Sequence, residues 1–293
     1  VSENRRVTEH PADLVRALTG LDVVRAGPDG RADLADGRRV LVKHSADPGS
    51  IAAEVAGLRW LAEPGHLPVP EVLGHDEHHL VLTYLPPAAP TAEAAEEFGR
   101  GLARLHQTGA PAFGAPPPGG PVDAWIGRAP MRNVPGAGWP EWYLEHRIRP
   151  YLRTPALDRD ERRLIDRACE RLPEVAGPAT PPARLHGDLW AGNACWSPGP
   201  ASTAPVRGWV IDPAAHGGHP ETDLAMLGLF GFPHLNRVLA GYQQVTPLDP
   251  GWAGRVGLHQ LFPLLVHVTL FGRGYAGQAV AAAESVLSIR PGG

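Results

Sequence analysis

Five residues, PPAAP at 86–90, divide this chain into two parts with different periodicities. Upstream, short apolar runs rich in β-branched residues alternate with Gly/Asp turns, which is the pattern of strands. The runs are LDVVR at 21–25, RVLVK at 39–43, EVLG at 71–74 and HLVLTYL at 79–85. A short helix is expected over 9–18. A longer one, capped by Asp47 or Ser50 and running to about Ala62, places Ile51, Val55, Leu58 and Leu61 on one face. Downstream, Thr91 is a candidate N-cap for TAEAAEEFGRGLARLHQ. Helical spacing recurs near 139–153, 158–172, 221–230, 233–244 and 255–288. Pro/Gly-rich passages at 110–121, 176–183 and 197–205 interrupt it, and 184–212 reads as a loop followed by two short strands. There is no internal repeat. The expectation is an α+β, two-lobed fold: a β-rich N-lobe over 1–85 with one main helix, a hinge at 86–90, and a larger helical C-lobe over 91–293. A length of 293 residues suits two such units.

Charge and cysteine content narrow the function classes. The net charge is −4, without a basic tail or a long run of one sign, which argues against a nucleic-acid or anionic-membrane partner. Cys169 and Cys195 are too few for a disulfide framework and show no metal-ligand spacing. The start, VSENRRVTEHPADL, lacks an apolar signal core. The longest apolar run, LFPLLVHVTLF, contains a histidine and falls short of the roughly 20 residues a membrane span needs. A soluble cytoplasmic protein with no obligate protein partner is expected.

One residue stands out against this background. Lys43 is the only lysine among 27 Lys and Arg residues, and it ends the strand-like RVLVK. Phosphoryl transfer from a nucleotide needs a cation on the phosphates, a carboxylate to orient and deprotonate the attacking hydroxyl, and oxygen ligands for magnesium. HGDLWAGN at 186–193 has the H-x-D-x-x-x-x-N spacing of a kinase catalytic loop, with Asp188 as base and Asn193 as metal ligand. Asp212, nineteen residues after Asn193 at the end of an apolar run, stands where a second metal-binding carboxylate belongs. Glu54, on the helix after the strand, is placed to pair with Lys43. A compact ammonium reaches between phosphate oxygens where a planar guanidinium is bulkier and prefers bidentate geometry. Each feature alone is weak, because an edge lysine is usually solvated and a lone aspartate often caps a turn. Their order along the chain points to a protein-kinase-like fold.

With these residues in place, the sequence resembles the fructosamine (ketosamine-3-) kinase family. LHGDLWAGN at 185–193 is similar to that family's HGDLW-x-GN, and IDPA at 211–214 through ETDLAM at 221–226 to its DPA…E-x-DLAM block. FG at 113–114 with WIG at 125–127, WPEWYLEHRIRP at 139–150, GWAGRVGLHQLF at 251–262 and LFGRGY at 270–275 also resemble family stretches. The resemblance implies ATP- and Mg2+-dependent phosphorylation of the sugar 3-hydroxyl of a ketosamine, a deglycation activity on a small-molecule or glycated-amine substrate. It implies Asp188 as base, Asn193 and Asp212 on magnesium, Lys43 with Glu54 on the phosphates, and backbone around Leu82, Thr83 and Tyr84 on the adenine edge. The phosphate-covering loop would be AGPDGR at 26–31, with Gly27 and Gly30 offering N–H groups although Pro28 removes one donor. That loop has no cysteine, so no redox switch is expected there. Thr83 replaces a frequent acidic residue, and Gly217 stands where the family often has a tyrosine, which would reshape the substrate pocket.

Trp190 is a candidate wall for the substrate or a packed core ring. Asp123, beside Trp125, is a candidate for the substrate amine or a plain turn aspartate. Asp223 reads as a brace for the catalytic loop, Arg147 and Arg149 as surface charges, and His216 and His219 as idle histidines rather than metal ligands. Two other functions fit the loop: an aminoglycoside- or choline-kinase-like phosphotransferase, and a nucleotide-binding pseudokinase.

Overall fold

In the computed structural model, residues 10–201 and 203–290 are described; residues 1–9, most of the stretch read above for a signal core, lie outside them. Helix α1 (Pro11–Thr19) starts at a His10 cap followed by proline and stops at Gly20, whose φ of 70° only glycine adopts freely. Five short strands follow around one further helix: β1 (Val23–Ala26), β2 (Arg31–Leu34), β3 (Arg39–His44), α2 (Pro48–Ala62), β4 (Val72–His75) and β5 (His79–Thr83). They form one antiparallel sheet in the order β1-β2-β3-β5-β4. Strand β2 has no counterpart in the sequence reading. Its RADL buries only Ala32 and Leu34, too short an alternation to stand out.

Alternation along the strands gives the sheet two apolar faces. Val40 and Val81 join Val15 of α1 on one side, whereas Leu80 and Leu82 meet Ile51, Val55 and Leu58 of α2 on the other. Asp47 stands at the α2 N-cap position, but its side chain makes no capping bond. Beyond its sheet-facing residues, α2 also touches the helical lobe. Trp60 and Leu61 enter a cluster with Phe98, Leu102 and Leu189, and Gly57 packs on Pro213 and Ala215. Arg184 donates to the Trp60 carbonyl at 2.7 Å and to Glu63 at 2.8 Å.

The helical lobe begins with α3 (Ala92–Gln107), whose Thr91 hydroxyl accepts the Ala94 N–H at 3.1 Å. The hinge is pinned just before it, where the Ala88 N–H reaches the Trp196 carbonyl. A hairpin, β6 (Asp123–Ile126) and β7 (Ala129–Arg132), comes next. It is followed by α4 (Trp139–Tyr143), a π-helical turn over Leu144–Ile148, α5 (Arg149–Leu152), α6 (Arg159–Glu170) and α7 (Leu172–Val175). Four short strands, β8 (Ala183–Leu185), β9 (Ala194–Ser197), β10 (Arg207–Val210) and β11 (His216–Gly218), make two antiparallel pairs, β8 with β11 and β9 with β10. The sequence reading expected two strands here. Helices α8 (Pro220–Leu227), α9 (Leu235–Val245), α10 (Trp252–Phe271) and α11 (Ala276–Ser288) complete the lobe. The continuous helical pattern at 255–288 is cut at Gly272, at φ 82°, and a 3-10 turn, Arg273–Tyr275, links α10 to α11. The α+β, two-lobed arrangement is the one expected. Among the described residues, no helix is long and apolar enough to cross a membrane.

Arg147 corrects the reading of a surface charge. It is 1% exposed, donates to the Arg132 carbonyl at 2.9 Å and the Asn133 side chain at 2.7 Å, and lies 4.4 Å from the Trp142 ring centroid. Burial pulls its guanidinium down to about 9. Arg149 does sit at the surface, paired with Glu145.

Candidate active site

The loop after β8 is fixed from behind before it presents anything in front. Asp223, fully buried on α8, accepts the N–H of His186 at 2.8 Å and of Gly187 at 2.9 Å, and its carboxylate lies 3.2 Å from His106 Nε2. Burial alone would raise the Asp223 carboxyl, but the hydrogen bond and charge of His106 and the loop N–H groups outweigh it and hold the carboxyl low. His106 is oriented in turn by the Tyr242 hydroxyl at 2.9 Å. Asp223 therefore braces the loop, as its position suggested. No local pattern marks His106 or Tyr242, because their contacts join α3, α8 and α9. Gly187, at φ 81°, leaves no room for a side chain against the Ala214 carbonyl.

Two more bonds tie the loop to the strand ending at Val210. His186 Nε2 lies 2.9 Å from the Ile211 carbonyl, and the Ile211 N–H donates to the Asn193 carbonyl at 3.0 Å. Asp212, next in the chain, is held at φ 52°. That region costs a non-glycine residue about 1–2 kcal/mol.

In front of the brace, Asp188, Asn193, Asp212, Lys43 and Glu54 come together. Asn193 Nδ2 donates to the Asp188 carbonyl at 2.8 Å and to Asp188 Oδ2 at 2.9 Å, which leaves the amide oxygen of Asn193 free to ligate. Burial pushes the Asp188 carboxyl up to about 7; the Asn193 bond opposes this, and the negative charges of Asp212 and Asp223 reinforce it. Lys43 Nζ lies 2.6 Å from Glu54 Oε1 and 2.6 Å from Asp212 Oδ1, so one ammonium joins the sheet, α2 and the helical lobe. Burial works against its charge, but the two carboxylates prevail and hold its pKa above the usual lysine value. For Glu54, burial outweighs Lys43 and the carboxyl is raised. The second oxygen of Asp212 has no partner among the described residues. Asn193 and Asp212 thus offer the hard oxygen donors that magnesium takes.

The nucleotide-side backbone differs from the sequence reading. The N–H groups of Thr83 and Tyr84 are already engaged, by the Glu71 and Arg39 carbonyls at 3.0 and 2.9 Å, and Leu82 is paired in the sheet. An adenine edge laid there meets no donor from Thr83 or Tyr84. The next N–H along the chain is that of Leu85, before the donor-less Pro86 and Pro87. In the AGPDGR turn, the Gly27 N–H closes the hairpin onto Arg31 at 2.8 Å, and Gly30, at φ 78°, accepts the Val42 N–H at 2.8 Å. The Gly27 donor expected for phosphate is therefore committed to the turn.

The expected substrate residues have separate surroundings. Trp190 lies two residues after the base, its N–H on the Asp188 carbonyl at 3.1 Å. The Trp125 ring packs over Gly49 at the start of α2. Asp123 is largely exposed and paired across the hairpin with Arg132 at 3.0 Å. Gly217 does not border the cleft: it is buried in β11, and any side chain there would strike the Ala112 carbonyl. His216 Nδ1 lies 2.8 Å from the Ala214 carbonyl. His219 sits beside Glu221 and His259, but both Glu221 oxygens are held by Arg255, at 2.9 and 2.6 Å, so that cluster is a buried ion-pair network.

A strand lysine paired with a helix glutamate, facing an Asp/Asn loop and a strained aspartate across two lobes, defines a phosphotransferase of the protein-kinase-like fold. Aminoglycoside phosphotransferase APH(4)-Ia shares that fold, with a TM-score of 0.58 at 19% identity over 94% of this chain and 99% of its own. The fructosamine kinase family profile matches residues 34–289. A Synechocystis protein named Probable ketoamine kinase is 34% identical over 81% of this chain and 78% of its own length. The chloroplastic protein-ribulosamine 3-kinase of Oryza sativa subsp. indica is 32% identical over 65% of this chain and 54% of its own. A Thermobifida fusca crystal structure, provisionally named fructosamine-3-kinase, superposes with a TM-score of 0.85 at 44% identity, covering 95% of this chain and 98% of that one. The chain belongs to the fructosamine kinase family, and is an enzyme of the kinase type.

Proposed function

We propose that the enzyme transfers the γ-phosphoryl group of ATP to the 3-hydroxyl of a ketosamine. The observation that carries the reading is the Asp188 carboxylate. It is braced from behind by Asp223 through the loop, steered by Asn193, and raised to about 7, so it can take a proton near neutral pH. The relatives' names, ketoamine kinase and ribulosamine 3-kinase, support the acceptor and the position phosphorylated.

Magnesium-bound ATP supplies the phosphoryl group and cationic charge on its phosphates. The Asn193 amide oxygen and Asp212 are the residues that would hold the metal. Lys43, kept charged by Glu54 and Asp212, binds the phosphates and orients them toward Asp188. Asp188 hydrogen-bonds the sugar hydroxyl and receives its proton as the new O–P bond forms and the bond from the γ-phosphorus to the bridging oxygen breaks, releasing ADP. Trp190 and Trp125 wall the acceptor side. A 3-phosphorylated ketosamine is unstable: it eliminates inorganic phosphate, and water then releases the sugar as a deoxy-dicarbonyl, so the reaction frees the amine, a deglycation role.

The test is mass spectrometry of the ribulosamine and fructosamine of lysine after incubation with enzyme, ATP and magnesium. Gain of one phosphoryl group on either, abolished by omitting ATP or adding EDTA, is the expected result. No gain on either, with ATP still bound, would overturn the ketosamine reading and point to another small-molecule acceptor.

A further inference from the structure

A row of aromatic rings runs outward from the catalytic loop, and the chemistry above uses only its first member. Trp190 meets Phe230 edge-on, at 5.9 Å and 86°. Phe230 in turn lies 4.9 Å from His267 and 6.2 Å from Tyr275. Phe271 closes the group at 5.5 Å from His267 and 5.9 Å from Tyr275. The five rings come from four separate segments: the catalytic loop, the turn after α8, the last turns of α10 and the turn before α11.

Burial sets this row apart from the core. Phe230 is 37% and Phe271 56% exposed, and they are the only exposed phenylalanines among the described residues. A fold gains nothing by leaving two phenylalanines, bridged by His267 and Tyr275, in water, and a contiguous apolar patch beside a reactive group marks a surface that something else covers. Among the described residues, no lysine or arginine lies over any of the five rings. Arg273, in the same turn as Tyr275, points to Glu161 at 2.9 Å. His267 lies 2.7 Å from the Pro263 carbonyl, and burial holds it below the ordinary imidazole range, so its ring is neutral at neutral pH.

We propose that this aromatic wall receives the amine arm of the ketosamine and makes the enzyme prefer adducts whose amine carries an apolar or aromatic substituent over adducts of small free amino acids. The inference rests on the ketosamine reading. In such a substrate, the nitrogen is joined to C1, two carbons from the hydroxyl-bearing C3 that must lie at Asp188. The arm therefore leaves the sugar close to the loop, where Trp190 begins the wall. A ketosamine nitrogen is a secondary ammonium at neutral pH, and ring faces attract it without a counter-ion. Beyond it, Phe230, Phe271 and Tyr275 provide apolar surface. No arginine or lysine among the described residues of the wall is there to hold an amino-acid carboxylate.

The experiment compares kcat/KM for ribulosamines of benzylamine and of glycine, in the wild type, Phe271→Ala and Phe271→Trp. The wild type is expected to favour the benzyl adduct by about tenfold, mainly through KM. Phe271→Ala should bring that ratio close to one, and Phe271→Trp should retain it. Because Phe271 is more than half exposed, melting temperatures should match and separate a binding effect from misfolding. Equal turnover of both adducts by the wild type, or a preference that survives Phe271→Ala, overturns the wall while leaving ketosamine kinase activity standing. Phosphorylation of neither adduct overturns the ketosamine reading itself, and this inference with it.

Discussion

Asp188→Asn should make the protein more stable while disabling it, and the gain should depend on pH. The ordinary aspartate value is 3.8, and burial raises Asp188 to about 7. A shift of roughly 3 units corresponds to at most about 4 kcal/mol. Asp188 is half-buried, so water screens part of that cost, and we take about 2 kcal/mol as the working figure. The sign follows from linkage. With the folded value above the unfolded one, the folded state holds the proton more tightly. The associated stability is therefore full below about pH 4, falls as pH rises, and is gone above about pH 7. Asparagine keeps the shape and can still accept from Asn193, but it never ionises. The variant should match the wild type near pH 4.5 more closely than at pH 8.5. At pH 8.5 it should melt about 4 °C higher, by the usual scaling for chains of this size. Thermal melts in EDTA and without nucleotide would show this, while turnover on any accepted ketosamine should fall by about 10²–10⁴-fold, the usual contribution of a general base. A variant no more stable than wild type at pH 8.5, or a gap that stays constant across pH, would refute the argument that Asp188 is held in a costly state.

The same raised carboxyl predicts the rate profile: kcat/KM should fall as pH drops through about 7, because the base must be ionised, and an acid limb near 4 instead would show that Asp188 titrates as an ordinary aspartate. Lys43→Arg keeps the charge but cannot fit a planar guanidinium where one nitrogen now sits 2.6 Å from both Glu54 and Asp212. Steady-state kinetics should show kcat lowered by about tenfold or more, and wild-type rates would mean that the lone lysine is incidental. Arg147→Met should lower stability by about 2–4 kcal/mol, because Asn133 and the Arg132 carbonyl lose a buried donor; urea unfolding with an unchanged midpoint would contradict that role.

Elements defined by local chemistry were readable in the chain. Thr91 caps its helix, Lys43 lies one residue before the end of its strand, and Asp188, Asn193 and Asp212 sit on segments marked by their spacing. What escaped was set by partners distant in sequence. Strand β2 and the β6–β7 hairpin, with Pro130 inside it, carry too few alternating residues to register as strands. Arg147 looks like any charge on an amphipathic stretch until Asn133 and Trp142 close around it. The engaged N–H groups of Thr83 and Tyr84 are a matter of register with β3 and residue 71, which no local pattern encodes. Gly217 looked like a widened pocket by comparison with a larger residue, but its surroundings are backbone.

Helix α2 carries Glu54, yet its later turns pack on the other lobe: Trp60 and Leu61 in the C-lobe cluster, Gly57 on Pro213, and its end hydrogen-bonded to Arg184. The helix is shared between the lobes, its earlier turns held to the strands by Ile51, Val55 and Leu58 and its later turns to the helical lobe. The Lys43 ammonium, bound to Glu54 on that helix and to Asp212 of the helical lobe, closes a ring of contacts through sheet, helix and loop, so the position of the phosphate-binding charge depends on the packing of both lobes at once.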